Sequence, residues 1–286
     1  MPKKPQPPAA ITPDTLAAFA AFLVSRERSP GTVQNYLRAA RAFAAYLAGA
    51  PLTREGALGW KASMLAAGCA AATVNARLSA LNRLLAFLGR PDCRVSLLRV
   101  QRRIFRPAQR QLTRGEYARL LAAARQRGDG WLSLLLETLC STGIRVSELC
   151  AITAGAAQRG RAEIRLKGKV RVILLPAQLC RRLQSYAQRR GIRSGPLFCT
   201  RTGAPLGRQQ VWRLMKSLCA AARVSPGKVF PHNLRHLFAT AFYAVSHDIA
   251  RLADVLGHSS LETTRIYLAT AGEEHRRTIN RLRLLC

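Results

Sequence analysis

The sequence predicts a mainly α-helical protein of two domains with one small β-hairpin. Apolar residues recur at helical spacing through most of the 286 residues, for example at Val74, Leu78, Leu81, Leu85 and Leu88. Residues 162–166 and 170–175 are instead rich in β-branched side chains, and Lys167-Gly168-Lys169 joins them, a pattern typical of a hairpin. The length exceeds the usual domain size of about 100–200 residues, which favours two domains.

Residues 12–93 are predicted to form a bundle of short helices. Thr12 followed by Pro13 is the pattern of an N-cap with proline at the first helical position. A second helix is expected to begin near Gly31 and a third near Thr73. Each has one apolar side that can face a common core.

The charge of the chain points to a polyanionic partner. Lys and Arg total 46 against 14 Asp and Glu, a formal net charge of +32. Phosphate contacts by these side chains release counterions, so double-stranded DNA fits better than a membrane surface. The sequence has no run of about 18 apolar residues and no signal-like start. We therefore expect a cytosolic protein associated with the bacterial nucleoid, with no membrane partner.

Residues 94–112 are predicted to be a basic interdomain linker, because periodicity lapses there around Pro107. Its arginines are Arg94, Arg99, Arg102, Arg103, Arg106 and Arg110. This run is either a solvated surface or a strap along the DNA backbone, and the basic composition favours the strap. Helical periodicity resumes at Thr113, so residues 113–286 form the second domain with a C-terminal tail.

Neither a metal site nor a disulfide framework is indicated. The eight cysteines contain no C-x-x-C pair and stand beside apolar residues, so we expect reduced thiols that fill the core. No Cys/His cluster has the spacing of zinc ligands. The acidic residues offer no plausible triad for Mg²⁺, which argues against a metal-dependent transposase or nuclease.

Six residues of the second domain could together break a phosphodiester bond: Arg145, Lys167, His232, Arg235, His258 and Tyr267. Such a bond needs cations to hold its charge, a proton for the departing oxygen and a nucleophile. His232 and Arg235 are three residues apart after Pro231, so they share one side of a helix. His258 occupies a turn before the helix of Tyr267, and the two would meet only around a shared phosphate.

The surroundings of Arg145 and Lys167 suit these roles. Gly143 is expected to end an apolar helix, which places Arg145 at a helix junction where its guanidinium can bind a phosphate with two hydrogen bonds. Lys167 lies at the tip of the hairpin as the candidate general acid, with Lys169 as the alternative. A free phenol has a pKa of about 10, so Tyr267 needs neighbouring cations.

Three stretches of the second domain resemble, in order, the motifs of the tyrosine recombinases, the phage-integrase family that includes Xer-like enzymes. They are residues 142–149 (TGIRVSEL), residues 231–240 (PHNLRHLFAT) and residues 256–267, from LGHSS to the IY pair. The helices of residues 12–93 also resemble the SAM-like core-binding domain of that family. The resemblance implies a C-shaped clamp on DNA, made of this domain and a mostly α catalytic domain with a small hairpin.

The resemblance also implies residue roles. Arg145 and Arg235 would clamp the scissile phosphate, His232 and His258 would hydrogen-bond to it, and Lys167 would protonate the 5′-oxygen. The hairpin is one residue shorter than in the family pattern, which keeps Lys169 as the alternative acid.

Tyr267 would attack phosphorus and form a 3′-phosphotyrosine, so no cofactor or metal would be needed. The implied partners are DNA with specific recombination sites and three further copies of the chain. The homotetramer would exchange two duplexes through a Holliday junction, and an accessory DNA-bending protein or a partner recombinase is left open. A topoisomerase IB-like strand transferase and a catalytically inactive DNA-binding regulator are the alternatives.

Further DNA contacts are expected from polar residues of the first domain and the linker. These are Asn35, Arg38, Arg41, Asn75, Arg77, Ser79, Asn82, Arg83, Arg102, Arg103 and Arg106. Such residues position a protein on the phosphate backbone or contact base edges in a groove.

Overall fold

The chain forms two compact units, residues 1–102 and residues 103–286. A computed structural model describes residues 11–100, 110–128, 130–166, 169–200, 202–258 and 260–268, without the side chains of residues 165, 166, 169 and 265–268. The described residues are mostly helical, with one two-stranded sheet, which confirms the predicted fold class. None of the described helices has the length and apolarity to cross a membrane.

The described residues of the first unit form four helices: α1 (Pro13–Ser25), α2 (Pro30–Leu47), α3 (Arg54–Ala66) and α4 (Ala71–Phe87). A 3₁₀ turn, Pro91–Cys93, follows them. Thr12 caps α1 by accepting a hydrogen bond from the backbone N–H of Thr15 at 3.2 Å, which confirms the predicted start. Helix α2 packs against the other three helices.

Helix α3 was not among the predicted elements. It contains two glycines, which are poor helix formers and weaken the local pattern. Gly59 is required by packing, because a Cβ there would lie 2.6 Å from the hydroxyl of Tyr46 on α2. This approach lets Trp60 pack on Phe43, with ring centroids 5.1 Å apart. Tertiary contact therefore fixes a helix that local sequence indicates only weakly.

Two asparagines of α4 hold the segment that follows the helices. Asn75 donates to the carbonyl of Leu98 at 2.9 Å and accepts from its N–H at 2.7 Å. Asn82 makes the same pair with Val95, at 2.8 and 3.0 Å. Each amide thus satisfies backbone groups that lack a secondary-structure partner. Asn75 and Asn82 therefore have a structural role, and their predicted contact with DNA stays a prediction.

Two other residues of α4 from the same set also pack locally. The hydroxyl of Ser79 donates to the carbonyl of Asn75 at 2.8 Å. The guanidinium carbon of Arg83 lies 5.1 Å from the ring centroid of Phe22 on α1, a cation–π contact that joins the two helices. Arg77 is half-buried on the same helix.

The second unit contains nine described helices: α5 (Arg114–Gln126), α6 (Gly130–Thr142), α7 (Ala154–Arg159), α8 (Ala177–Arg189), α9 (Arg208–Lys216), α10 (Cys219–Ala222), α11 (Pro231–Ser246), α12 (Ile249–Leu256) and α13 (Leu261–Leu268). Helix α6 lies at the centre of the core and packs against α5, α8 and α11.

The predicted hairpin is confirmed. Strands β1 (Arg161–Leu166) and β2 (Lys169–Leu174) pair antiparallel, and Leu166 stands opposite Lys169. Lys169 is therefore the first residue of β2, and Lys167 belongs to the two-residue connection, which lies outside the described residues.

The cysteine prediction holds in part. Cys93, Cys140, Cys180 and Cys219 are buried free thiols, as expected for core residues. Cys150 is exposed, so the prediction is wrong for this residue. It lies in the 3₁₀ turn Val146–Ala151, whose inward side is occupied by Glu148 and Leu149.

Helix α6 ends at Gly143, as predicted. Gly143 has φ +61°, in the left-handed region that favours glycine. A Cβ at this position would lie 2.4 Å from Cδ1 of Phe238 on α11. The glycine therefore serves both the turn and the close approach of α11.

Gly143→Ala should destabilise the protein more than Gly160→Ala. Gly160 also has a positive φ, +70°, but nothing lies within 4 Å of its Cβ position. We expect a loss of about 1–2 kcal/mol at Gly160 from backbone strain and about 1–3 kcal/mol more at Gly143 from overpacking. Urea unfolding of both variants measures the difference, and equal losses would contradict the steric argument.

Candidate active site

Three of the predicted catalytic residues line one cleft of about 1010 Å³ in the second unit: Arg145, His232 and Arg235. The walls are residues 144–147, residues 230–232 and Arg235 at the start of α11, and one side of α9. The fold thus brings together cationic and titratable groups that are far apart in the sequence.

Arg235 joins the ends of two helices. Its side chain is buried, with 2% of the residue exposed. Nη1 donates to the carbonyl of Gly143 after α6 at 2.5 Å, and Nη2 donates to the carbonyl of Leu256, the last residue of α12, at 2.8 Å. Helix C-termini carry unsatisfied carbonyls and partial negative charge. These contacts offset part of the cost of burying a guanidinium.

His258 is held between Arg235 and α13. Its Nε2 lies 2.8 Å from Nη2 of Arg235, and its Nδ1 lies 2.9 Å from the hydroxyl oxygen of Thr264. Because a guanidinium only donates, Nε2 must accept, and Nδ1 carries the proton. Burial and the nearby cations, Arg235 first, lower the pKa of His258 to about 4. The imidazole is therefore neutral at pH 7, with its lone pair directed at Arg235.

Glu148 fixes Arg145. Its buried carboxylate accepts from Nη1 and from the backbone N–H of Arg145, both at 2.9 Å. Nη1 of Arg171 donates to both carboxylate oxygens, also at 2.9 Å. Burial opposes ionisation, but the hydrogen bond from Arg145 and the charge of Arg171 outweigh it and hold the pKa of Glu148 below its usual value. Glu148 was not predicted, although its position three residues after Arg145 is the spacing of a capping box.

Arg171 extends this network to the turn of His258. Its Nη2 donates to the carbonyl of Val255 on α12 at 2.8 Å. Its Cδ lies 2.4 Å from the Cβ position of Gly257, which has φ +63°, so only glycine leaves room for it. Arg171 thus connects β2 to Glu148, the carboxylate partner of Arg145, and to the segment that carries His258.

One side of α9 completes the cleft and was not predicted. It contributes Arg208, Gln209, Trp212 and Arg213. The indole of Trp212 is 47% exposed, and Nζ of Lys216 lies 5.1 Å from its ring centroid. The opposite side of α9 is buried through Val211 and Met215. That amphipathic pattern is the signal that could have identified the helix as a cleft wall.

Family comparison agrees with this arrangement. The phage integrase family matches residues 110–274, and its N-terminal SAM-like domain matches residues 16–91. This chain belongs to the phage integrase family. Among similar members, tyrosine recombinase XerA of Thermococcus kodakarensis is 29% identical over 281 residues, 95% of this chain and 96% of that protein. XerC of Erythrobacter litoralis is 32% identical over 69% of this chain and 68% of its own length. For XerD of Xanthomonas campestris pv. campestris, 35% identity extends over 51% of this chain and half of that protein.

Solved structures of other phage integrase family members share the fold. XerH recombinase bound to its difH substrate aligns with a TM-score of 0.69 and 22% identity, over 91% of this chain and 82% of that chain. A lambda integrase tetramer bound to a Holliday junction aligns with a TM-score of 0.70 and 21% identity, over 89% and 76%.

The other residues that were predicted to act in catalysis or to bind DNA lie in both units of this phage integrase family member. Tyr267 is in the last turn of α13, and its side chain is outside the described residues, as is Lys167. His232 is exposed at the start of α11. In the first unit, Arg38 donates to Asn35 at 3.3 Å on the exposed side of α2. Arg41 is exposed on the same helix. The linker residues Arg102, Arg103 and Arg106 lie outside the described residues.

Asn233 fixes the start of α11 and therefore the position of His232. It is buried, and its Nδ2 donates to the carbonyls of Arg110 at 2.8 Å and Lys228 at 2.7 Å. The sequence motif contains Asn233, but no local pattern indicates partners so distant in the chain.

Arg171→Lys should slow DNA cleavage while leaving DNA affinity nearly unchanged. Lysine lacks the planar fork that bonds both oxygens of Glu148 and the carbonyl of Val255, so Arg145 and His258 lose their support. A misplacement near 1 Å can reduce rates by about 10²-fold, and we expect a loss of about 10- to 100-fold. The measurement is single-turnover cleavage of a duplex selected by binding from a random library.

Arg161→Lys is the matched control, because Arg161 is exposed on the paired strand. It should cleave at the unchanged rate. Equal behaviour of the two variants would show that Arg171 does not support the site.

Proposed function

We propose that this protein is a site-specific DNA recombinase that cuts and rejoins DNA through a 3′-phosphotyrosine and a Holliday junction. One observation carries the proposal: Arg145 and Arg235 line a single cleft, each fixed by buried partners, and His258 is held against Arg235. Similarity to XerA over nearly the whole chain, with a SAM-like domain, favours a recombinase over a topoisomerase or an inactive regulator.

The cleft would bind the scissile phosphate before any bond changes. Nη1 of Arg145 donates a hydrogen bond to Glu148. Because 42% of the Arg145 side chain is exposed, the other N–H groups of its guanidinium can reach a phosphate oxygen. Arg235 would contribute its charge from the floor of the cleft. Fixed cations of this kind stabilise the charge that develops on phosphorus without reorganising, and here they would take the place of a metal ion.

His258 would respond to the phosphate. In the described structure burial and the nearby cations lower its pKa to about 4. A phosphate anion between Arg145 and Arg235 would offset those charges and favour protonation, because an opposite charge stabilises the charged form. The protonated ring could then donate from Nε2 to a phosphate oxygen while Nδ1 remains on Thr264. His232 would add a second donor from the start of α11.

Tyr267 would act as the nucleophile and Lys167 as the general acid. The phenolic oxygen of Tyr267 forms the bond to phosphorus as the bond to the 5′-oxygen breaks. Lys167 gives its proton to that oxygen, and the phenol proton leaves to a base or to water. A 5′-hydroxyl of another strand then reverses these steps and releases the tyrosine.

The proposed partners are two DNA duplexes with specific sites and four copies of the chain. The solved structure of lambda integrase as a tetramer on a Holliday junction supports this assembly. XerH bound to difH supports a sequence-specific substrate. Helix α9, with Gln209 and Arg213 on the cleft wall, supplies groups that can read base edges in a groove. Such a substrate places the reaction in the cytoplasm.

Tyr267→Phe should bind the selected site with unchanged affinity but form no covalent adduct. The substitution removes the nucleophilic oxygen and leaves the cations of the cleft in place. A duplex nicked near the cleavage point traps the wild-type protein, and a denaturing gel displays the adduct. Tyr243→Phe, on α11 and outside the cleft lining, is the control and should trap normally. Trapping by Tyr267→Phe would overturn the nucleophile assignment.

Lys167→Ala should be rescued by a 5′-bridging phosphorothiolate, because a thiolate leaves without protonation. Lys169 begins β2, so Lys169→Ala should retain more cleavage of ordinary DNA and gain little from the sulfur substrate. Rescue of Lys169→Ala alone would assign the proton to Lys169.

A further inference from the structure

A second basic groove lies on the catalytic unit, apart from the cleft. Its volume is about 670 Å³, and no residue lines both. The basic lining residues are Arg125 from α5 and Arg181, Arg182 and Arg189 from α8. Gln178 and Ser185 of α8 add uncharged donors. The candidate active site uses none of these residues.

The groove follows the half of α6 that is distant from the cleft. Residues 130, 133, 134 and 137 of α6 line it, while the carbonyl that binds Arg235 belongs to Gly143. At 1.5 Å per residue, the lining begins roughly 9 Å from Gly143 along the helix axis and extends to roughly 20 Å. A phosphate bound in the groove would therefore not be the phosphate that is cut.

A buried carboxylate arranges two of the four arginines. Glu137 accepts from Nη2 of Arg125 at 2.9 Å and from Nη1 of Arg182 at 2.5 Å. The Glu137 side chain is 12% exposed, whereas those of Arg125 and Arg182 are 53% and 45% exposed. Glu137 is the one acidic residue among the described lining residues. The four arginines therefore leave a net positive charge along the groove.

The other two arginines are available to a ligand. Arg181 and Arg189 are exposed, and within the described part of the chain they make no hydrogen bond or ion pair. They stand eight residues apart on one side of α8, roughly 12 Å along the axis. Two guanidiniums at this spacing suit a polymer with repeating phosphates better than a single small anion.

The composition of the lining favours DNA over a protein partner. Protein interfaces have an apolar core with aromatic or aliphatic anchors, and here Leu134 is the one large apolar residue among those described. Guanidinium, hydroxyl and amide donors are the groups that contact phosphate and sugar without reading sequence.

We propose that this groove binds the phosphate backbone of a second DNA segment while the cleft holds the segment that is cut. The second segment would be contacted without sequence preference. Such a contact would raise the local concentration of DNA around a bound protomer, which favours the meeting of two sites.

The test is capture of a second duplex by protein whose cleft is occupied. Beads carry the selected site in excess over protein, and a labelled duplex of about 25 base pairs without the site is added over a range of salt concentrations. The test variant is Arg181→Glu with Arg189→Glu. The control is Arg114→Glu with Arg161→Glu, which changes the charge equally at exposed positions outside the groove.

We expect the groove variant to lose at least about tenfold in capture at 0.1 M salt. The slope of log affinity against log salt should fall by about 2, since each lost phosphate contact removes about 0.9. The control should lose less than about threefold. Cleavage of the bead-bound site should stay within about twofold in both variants, so failure here is distinguishable from failure of the proposed recombinase activity.

Equal losses in the two variants would show that net charge alone acts, and the proposal would be overturned. Competition by poly-glutamate as effective as that by DNA at equal charge would also overturn it, in favour of an acidic protein partner. Loss of site cleavage in the groove variant alone would place the groove in the cutting site and contradict the separation argued above.

Discussion

The carboxylate of Glu148 is the interaction on which the candidate site depends. The guanidiniums of buried Arg235, largely buried Arg171 and exposed Arg145 converge on this part of the unit, and like charges repel one another. A single ionised carboxylate accepts from two of them and fixes both. Buried charges are tolerated where they are paired and fully hydrogen-bonded. Removing this partner would leave Arg145 and Arg171 to repel each other, and Arg171 would keep only its hydrogen bond to the carbonyl of Val255.

Arg235 is stabilised in a different way, and the difference matters for phosphate binding. Its described partners are carbonyls and an imidazole, which carry partial charge or none. The three arginines and Glu148 therefore leave a net charge of +2 beside the cleft. A phosphodiester carries one negative charge and gains more in the transition state. The arginines beside the cleft are thus fixed in position but not neutralised, which is the condition under which fixed charges accelerate a reaction.

Local sequence predicted the features that depend on local chemistry. Thr12 capping α1, Gly143 ending α6, Gly257 preceding His258 and the hairpin were all visible in the sequence, because caps and turns demand particular residues. The sequence did not reveal helix α3, the hydrogen bonds of Asn75 and Asn82, or the link from Arg171 to Glu148. Each depends on a contact that only the folded chain creates, for example the 23 residues between Arg171 and Glu148. The family motif located Arg145 and Arg235, but the partners that hold them came from the structure.

Net charge alone does not identify a functional surface in a chain with a formal charge of +32. What distinguishes arginines here is whether the protein itself holds them. Arg235 and Arg171 are committed to buried carbonyls and to Glu148, so they hold the chemistry in place. Arg181 and Arg189 are exposed beside a pair that Glu137 fixes, so they can exchange water and counterions for phosphate. Guanidiniums fixed by the fold suit a single reacting phosphate. Exposed guanidiniums suit the repeating phosphates of DNA, because they can bind the backbone at many positions along it.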